Sequence, residues 1–417
     1  MNREANKRIV ITGMGMVTPL GTGKDLFAEN IFQGHSGISP IEGFDTSHLP
    51  SHLAGEVKDF RPQDFIFSKN FRRMDRLSQY VTAAARMAMD DARITVTPEN
   101  RDRIGIIMGT AFGPTELKIE CMRTLFTRGP AKIHPNLVPN TVLNAPAGHA
   151  SIEMGFRGVN TTVNHQAVSG EIALVYAAME LQRGTADIVL AGGAEIISDF
   201  FFESLVHFKA LSPIDGLTEK ACPFDMQRNG PIIGEGCGIV CLERLDHALN
   251  RGVTPYCEIS GWGMGSSPSP PTGWPASEKG IIHAIQKAFH MADTEAKHID
   301  VVLAAGNGGR NPDEIEVKAF QNLFSHHAPQ PSFFSYKGAL GESFSSGGTG
   351  ASIMALSIKH GKVPPTLGLT EPMAPLTFIT GTAKNMVIHQ GLLNAVSHGG
   401  THVAIVANTW KQDSRRQ

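Results

Sequence analysis

The residues from Val163 to Glu195, VNHQAVSGEIALVYAAMELQRGTADIVLAGGAE, hold the position where chemistry would be expected. A small-residue turn at Ala167-Val168-Ser169-Gly170 leads into a helix whose Ile172, Val175, Ala178 and Leu181 recur every three to four positions, on one face. Gly184 then fits a helix stop. Ile188 to Ala191 reads as a short strand apolar on both faces, as in a covered parallel sheet, with Gly192-Gly193 where it ends. A turn opening such a helix suits a nucleophile, because free N–H groups and the helix dipole stabilise an anion there. A Cys or Ser is expected with no spacer before the helix. Ala167 stands there instead.

Other candidate chemistry is sparse. GMGMVTPLG resembles a nucleotide-binding glycine loop through Gly13 and Gly15. Thr18 replaces the third glycine, however, and Pro19-Leu20 follow where a helix should start. A strand over 8–13 followed by a loop turn is the plainer reading. Cys237 and Cys241 are four apart in an apolar strand-like run with no His beside them, which favours core over a metal site. His165 and the pair His326-His327 read as surface or loop residues rather than ligands.

The elements that must position the elbow alternate along the chain. Arg72 to Ala92 is an amphipathic helix, and Ile104 to Met108 a strand followed by the small-residue loop GTAFGP. Pro139 to Gly148 leads into a small-residue helix. The pattern restarts near Pro255: a strand to Gly261, a helix from Ser277 to Met291, a strand from Asp300 to Ala305 and the glycine loop 306–309. Helices over 312–324 and 348–360 follow, and the chain closes on NAVSHGGTHVAIVA, a glycine loop and an apolar strand. No low-complexity linker separates the parts, so two closely packed α/β halves, 1–254 and 255–417, are expected.

Composition limits the function. With 417 residues, 41% of them hydrophobic, the chain can bury a large core or two fused ones. A formal charge of −2 and a pI near 6.8 point away from nucleic acid. No long uncharged apolar run suggests a membrane span, and the N-terminus lacks the apolar core of a signal peptide. Five cysteines, an odd number, read as buried free thiols in a reducing cytoplasm.

RIVITGMGMVTPLG, SGISPIEGFD, FRRMDRLSQY, VPNTVLNAPAGHASIEMGFRG, TADIVLAGGAE, PFDMQRNGPIIGEGCGIVCLERLDHALNRG and GKVPPT together resemble the β-ketoacyl-acyl-carrier-protein synthases of the type II elongating kind, over nearly the whole chain. The resemblance implies a thiolase fold, a five-layer α-β-α-β-α sandwich of two similar halves, and a dimer. It also implies cytoplasmic work on acyl groups carried by acyl-carrier-protein phosphopantetheine, with no cofactor or metal. The family chemistry is decarboxylative Claisen condensation. A Cys takes the acyl chain as a thioester, two His favour loss of CO₂ and stabilise the oxyanion, and a Lys and an acid hold the arrangement.

By that resemblance the family Cys falls on Ala167 and the first His on Ala305, with Asp313 and Glu316 keeping the acidic spacing. The second His falls on Glu342, beside the retained Lys337 and Gly341. The loop bearing the gating Phe appears as Ser397-His398-Gly399-Gly400-Thr401-His402. Alanine cannot form a thioester, and a carboxylate at 342 would repel a developing anion. The nearest match within the family is the chain-length factor, the ketosynthase β-subunit that lacks the Cys, of an aryl polyene or related polyene system. Many such subunits carry Gln at the Cys position; Gln166 is one residue early. The expected partners are an active ketosynthase subunit and an acyl carrier protein. Phe112, Leu137 and His398 are candidates to line the acyl tunnel. A Lys337–Glu342 pair is expected to be structural. The alternative is an atypical enzyme of this fold, a malonyl decarboxylase or acyltransferase, using Glu342, His398 or a hidden thiol. That none of the five cysteines falls near an active loop favours the first reading.

Overall fold

The computed structural model describes residues 8–410 other than 136 and 215, so residues 1–7, on which the signal-peptide expectation rests, lie outside it. Among the described residues, ten strands form one hydrogen-bonded path. They are β1 (Ile9–Thr18), β2 (Ile104–Gly109), β3 (Asn160–Val163), β4 (Ile188–Glu195), β5 (Gly236–Arg244), β6 (Cys257–Ser266), β7 (Val301–Leu303), β8 (Ser332–Phe334), β9 (Gln390–Val396) and β10 (Thr401–Asn408). The helices that matter for the site are α1 (Arg76–Asp91), α2 (Thr115–Arg128), α3 (Ala145–Met154), α4 (Ser169–Arg183), α5 (Asp199–His207), α6 (Lys279–Met291), α7 (Arg310–Phe324) and α8 (Gly347–His360).

The strand order is β8-β7-β9-β10-β6-β1-β5-β4-β2-β3, with the short strand Gly21–Thr22 paired to β1 off this path. Read outward from the middle, each side repeats the same senses: two antiparallel pairings, then two parallel ones. The sides join where β1 and β6 pair over Ile9↔Ile259, Val10↔Glu258 and Ile11↔Cys257. Beyond Ile11, β1 pairs β5 and the short strand, not β6.

Alternation along the strands sets the layers. Ile107, Val189, Ala191, Val240 and Leu242 share one core with α4, α8 and the strands β7, β9 and β10. Their neighbours Ile106, Ile188, Leu190, Ile239 and Cys241 face the opposite way, onto α1 and α3. On the far side Val302, Leu392, Ala404 and Val406 pack on α6 and α7. The result is α-β-α-β-α, with α4 and α8 enclosed between the two sets of strands, as the resemblance implied.

Several local expectations need correction. The stretch after Gly13 is not a turn: β1 runs on to Thr18. Gly13 and Gly15 are where α1 lies on the strand, since a Cβ on Gly15 would stand 2.0 Å from the Ala84 carbonyl oxygen. Gly261 and Gly263 repeat the device against α6, with a Cβ on Gly263 2.0 Å from the Ala284 oxygen. Gly192-Gly193 lies inside β4, which continues to Glu195 because the glycines let β5 and α8 come close. The strand expected over 300–305 stops at Leu303. Four cysteines are buried, but Cys121 is half-buried on α2.

Candidate functional site

The elbow is built by side chains substituting for helix bonds. After β3, the Asn164 amide donates to the carbonyls of Thr110 and Ala111, both at 2.8 Å. A 3₁₀ turn, Gln166–Val168, follows, and only then α4 begins at Ser169. The turn read over 167–170 is thus corrected in extent: Ser169 and Gly170 already belong to α4, and Val168 separates Ala167 from it. Ser169 Oγ accepts from the His165 N–H (2.8 Å) and donates to the Gln166 carbonyl (2.6 Å), which closes the turn. Gln166 has φ 52°, a left-handed backbone unusual for a residue with a side chain. Ala167 is buried beside it. A Cβ on Gly170 would lie 2.6 Å from the Gly347 nitrogen, so α4 and α8 start in backbone contact.

At the second position, β7 ends and side chains take over its bonding. The Ala305 N–H donates to Glu316 Oε1 (2.7 Å), which also accepts from the Asn394 amide (2.6 Å). One turn earlier on α7, Asp313 accepts from the N–H groups of Asn307 (2.9 Å), Gly308 (3.1 Å) and Phe224 (2.8 Å). Both acids are buried. Burial pushes Asp313 up to about 6 and Glu316 up to about 7, against the hydrogen bonds that favour their anions. The retained acidic spacing thus holds the 306–309 loop. Cys222 corrects one expectation, because its backbone abuts that loop, 3.7 Å from where a Cβ on Gly308 would stand. It supplies no nucleophile: the residue is buried and its thiol is pushed up to about 11, chiefly by desolvation.

At the third position Glu342 Oε2 meets Lys337 Nζ at 2.7 Å, with side chains 3% and 8% exposed. The Asn307 amide donates to the same oxygen (2.9 Å), and the Phe344 N–H donates to Oε1 (2.9 Å). Burial alone would drive both groups neutral. The partner's charge and hydrogen bond outweigh it, so Glu342 falls below the usual carboxylate range and Lys337 rises. The pairing anticipated from sequence is present. An anion held this way has no proton to deliver, which weighs against Glu342 as a catalytic acid. On α4 the buried Glu171 is pushed up to about 7 by desolvation, partly offset by a backbone bond and by Lys337.

Two of the three positions converge directly, and Glu342 joins them through Lys337. Ala167, Ala305 and Lys337 line one cavity of about 10 Å³ with Glu171 and Asn394, room for roughly one water. None of these side chains is an imidazole or a thiol.

The tunnel candidates divide. Phe112 and His398 are linked through Phe344: ring centroids lie 5.4 Å apart for Phe112–Phe344 and 6.2 Å for Phe344–His398. Burial lowers the His398 pKa, with Glu342 opposing, which favours the neutral ring. Leu137 is half-buried just before the 3₁₀ turn Val138–Asn140, on a stretch whose Val138 and Val142 are exposed; Asn136 beside it lies outside the described residues. His165 and His326 are exposed and His327 half-buried. The sequence reading missed Glu171, Asn307 and Phe344. A charged residue in the first turn of an otherwise apolar helix was a usable signal for Glu171. Nothing in the spacing marked the other two.

Comparison with known proteins bears on the family and the fold. Residues 6–248 match the Beta-ketoacyl synthase, N-terminal domain, and residues 256–370 the C-terminal domain. The chain is 34% identical over 405 residues to the 3-oxoacyl-[acyl-carrier-protein] synthase 2 of Staphylococcus aureus (strain COL), covering 96% of this chain and 98% of that protein. Among solved structures, the ishigamide ketosynthase/chain length factor superposes with a TM-score of 0.90 at 29% identity, covering 97% of this chain and 100% of the other. A type II polyketide synthase acyl-carrier protein in complex with its ketosynthase bound to the hexaketide gives 0.86 at 26%, again covering 97% and 100%. With its two halves matched in order and its layers those of the thiolase fold, this chain belongs to the β-ketoacyl synthase family.

Proposed function

We propose that this chain is a non-catalytic chain-length factor. It pairs with an active ketosynthase and helps shape the tunnel for a growing acyl chain on acyl carrier protein, in polyketide and specifically polyene assembly. The observation that carries this reading is the methyl group of Ala167 at the elbow, with Ala305 and Glu342 at the two positions matched to histidines. A Cys-to-Ala change alone would resemble a trapped enzyme. The bonding of Glu342 to Lys337, Asn307 and Phe344 supports a structural role for the acid over that alternative. Surface apolar groups support pairing: Met122 and Phe126 on α2, with Val138 and Val142 after it, are exposed in the single chain. The neighbour described as a ketosynthase/chain length factor supports it further. The reading assigns the work to the cytoplasm, as the family resemblance implies. Among the described residues no helix is long and apolar enough to cross a membrane.

The test is co-expression with the ketosynthase encoded nearest its gene, then native mass and a condensation assay with and without this chain. A stable equimolar heterodimer whose activity or product length depends on this chain is expected. A homodimer that consumes malonyl thioester unaided refutes the reading.

A further inference from the structure

Two buried acids each grip the backbone of an aromatic residue, and the two rings meet. Glu195, ending β4, accepts from the Thr110 hydroxyl (2.9 Å), the Ala111 N–H and the Phe112 N–H (3.3 Å). Glu342 accepts from the Phe344 N–H (2.9 Å). Phe344 has φ 58°, a region a non-glycine residue keeps only where its surroundings hold it. The rings are in mutual contact: Phe112–Phe201 at 4.2 Å, Phe112–Phe344 edge-to-face at 5.4 Å, Phe344–His398 at 6.2 Å and His398–Trp274 at 5.9 Å.

This row crosses the elbow. Gly399, after His398, lies against the Gln166 side chain, whose Oε1 would be 3.4 Å from a Cβ there. Ser345, after Phe344, lies on the start of α4, its carbonyl oxygen 3.2 Å from a Cβ on Gly170. The cavity lined by Ala167 is about 10 Å³.

We infer that Phe344 is a plug, set in place by Glu342 as its positioning residue, that shuts the Ala167 cavity against a pantetheine-sized thioester. This goes beyond the partner-subunit reading, because an elbow without a nucleophile need not be closed. Closure denies a carrier-bound chain a second, unproductive resting place. At the position matched to a catalytic histidine, the acid serves as a backbone anchor for an aromatic ring.

The experiment uses Ala167→Cys as a reporter and half-buried Cys121 as an internal reference. The probes are a pantetheine bearing a chloroacetamide group and, as a small control, iodoacetamide, with labelling rates read by peptide mass spectrometry. In Ala167→Cys alone, the introduced thiol should react with the pantetheine probe at least tenfold more slowly than Cys121. Adding Phe344→Ala should raise its rate at least tenfold, and by more than for iodoacetamide, with Cys121 unchanged. Phe344→Tyr should keep it slow. Glu342→Gln with Lys337→Met retains an acceptor for the Phe344 N–H and should stay slow; Glu342→Ala with Lys337→Met should become fast. Labelling of buried Cys237 reports unfolding, and a variant that unfolds is replaced by the other fast variant. Rapid labelling with Phe344 present, or no acceleration in a folded variant lacking the ring or its anchor, overturns the inference. A failure here leaves the condensation test of partner function untouched.

Discussion

Glu342→Ala removes the counter-charge of Lys337 and asks how much the fold depends on it. The pair is nearly sealed from solvent, with Nζ and Oε2 2.7 Å apart. At an effective dielectric of about 20 the gross attraction is roughly 6 kcal/mol. Desolvation of both ions offsets most of that while the pair is intact. Deleting one partner leaves the other buried and uncompensated, which costs about 3–5 kcal/mol. Asn307 and Phe344 lose their acceptor as well, which places the expected loss near the upper end, about 5 kcal/mol. The paired change Glu342→Gln with Lys337→Met removes both charges and nearly preserves volume, so it should fall within about 2 kcal/mol of the parent. Urea denaturation followed by far-UV circular dichroism measures both. The reasoning is refuted if Glu342→Ala costs less than about 1 kcal/mol, or if the paired change is as damaging as the single one.

Glu171 should make stability fall as pH rises. Its carboxyl is raised from 4.5 to about 7, so between those values the folded state binds more protons than the unfolded one; the contribution is fully present below 4.5, lost through 7 and flat above. Glu171→Gln should flatten that slope by up to about 3 kcal/mol, read as urea midpoints across the range, and an unchanged slope counts against the assignment. Ala167→Cys alone should release no CO₂ from malonyl carrier protein, because positions 305 and 342 still lack imidazoles; release above background would show another group doing that work. Gly15→Ala should cost about 3 kcal/mol, since its Cβ would meet the Ala84 oxygen at 2.0 Å. Gly148→Ala, inside α3 with open space around it, should gain roughly 1 kcal/mol; equal effects at the two glycines would refute the close-packing account.

What was legible in the sequence depended on whether a residue's partner was near in the chain. The apolar face of α4 and its Gly184 stop need only local periodicity, and both formed as read, with Gly184 left-handed at φ 73°. Gly13 and Gly15 were mistaken for a turn because a packing glycine and a turn glycine look alike until the helix lying on them is known. That helix supplies Ala84 and Ala88 from far along the chain. Gly192 was misread for the same reason, its close neighbour being Gly238 on β5. The elbow was read from the small residues ahead of α4. Its 3₁₀ spacer was not, because the spacer rests on Ser169 bonding back to residues 165 and 166. Phe344 was invisible, since its role requires rings from several segments to meet.

The acid at 342 is the place where the two readings of the site diverge physically. A proton donor near neutral pH needs a raised carboxyl, as burial without a dedicated cation produces at Glu171 and Glu316, both up to about 7. Glu342 is just as buried, yet its pKa moves downward, because Lys337 is its direct partner. Lys337 in turn has its ammonium in the core, where a neutral neighbour would leave it uncompensated. Glu171 and Glu316 are opposed by that charge but do not bond it in the way Glu342 does. Keeping the lysine therefore accounts for an anion at 342 without any catalytic demand. That anion in turn explains the backbone bond to Phe344, a second consequence that an acid kept for chemistry would not require.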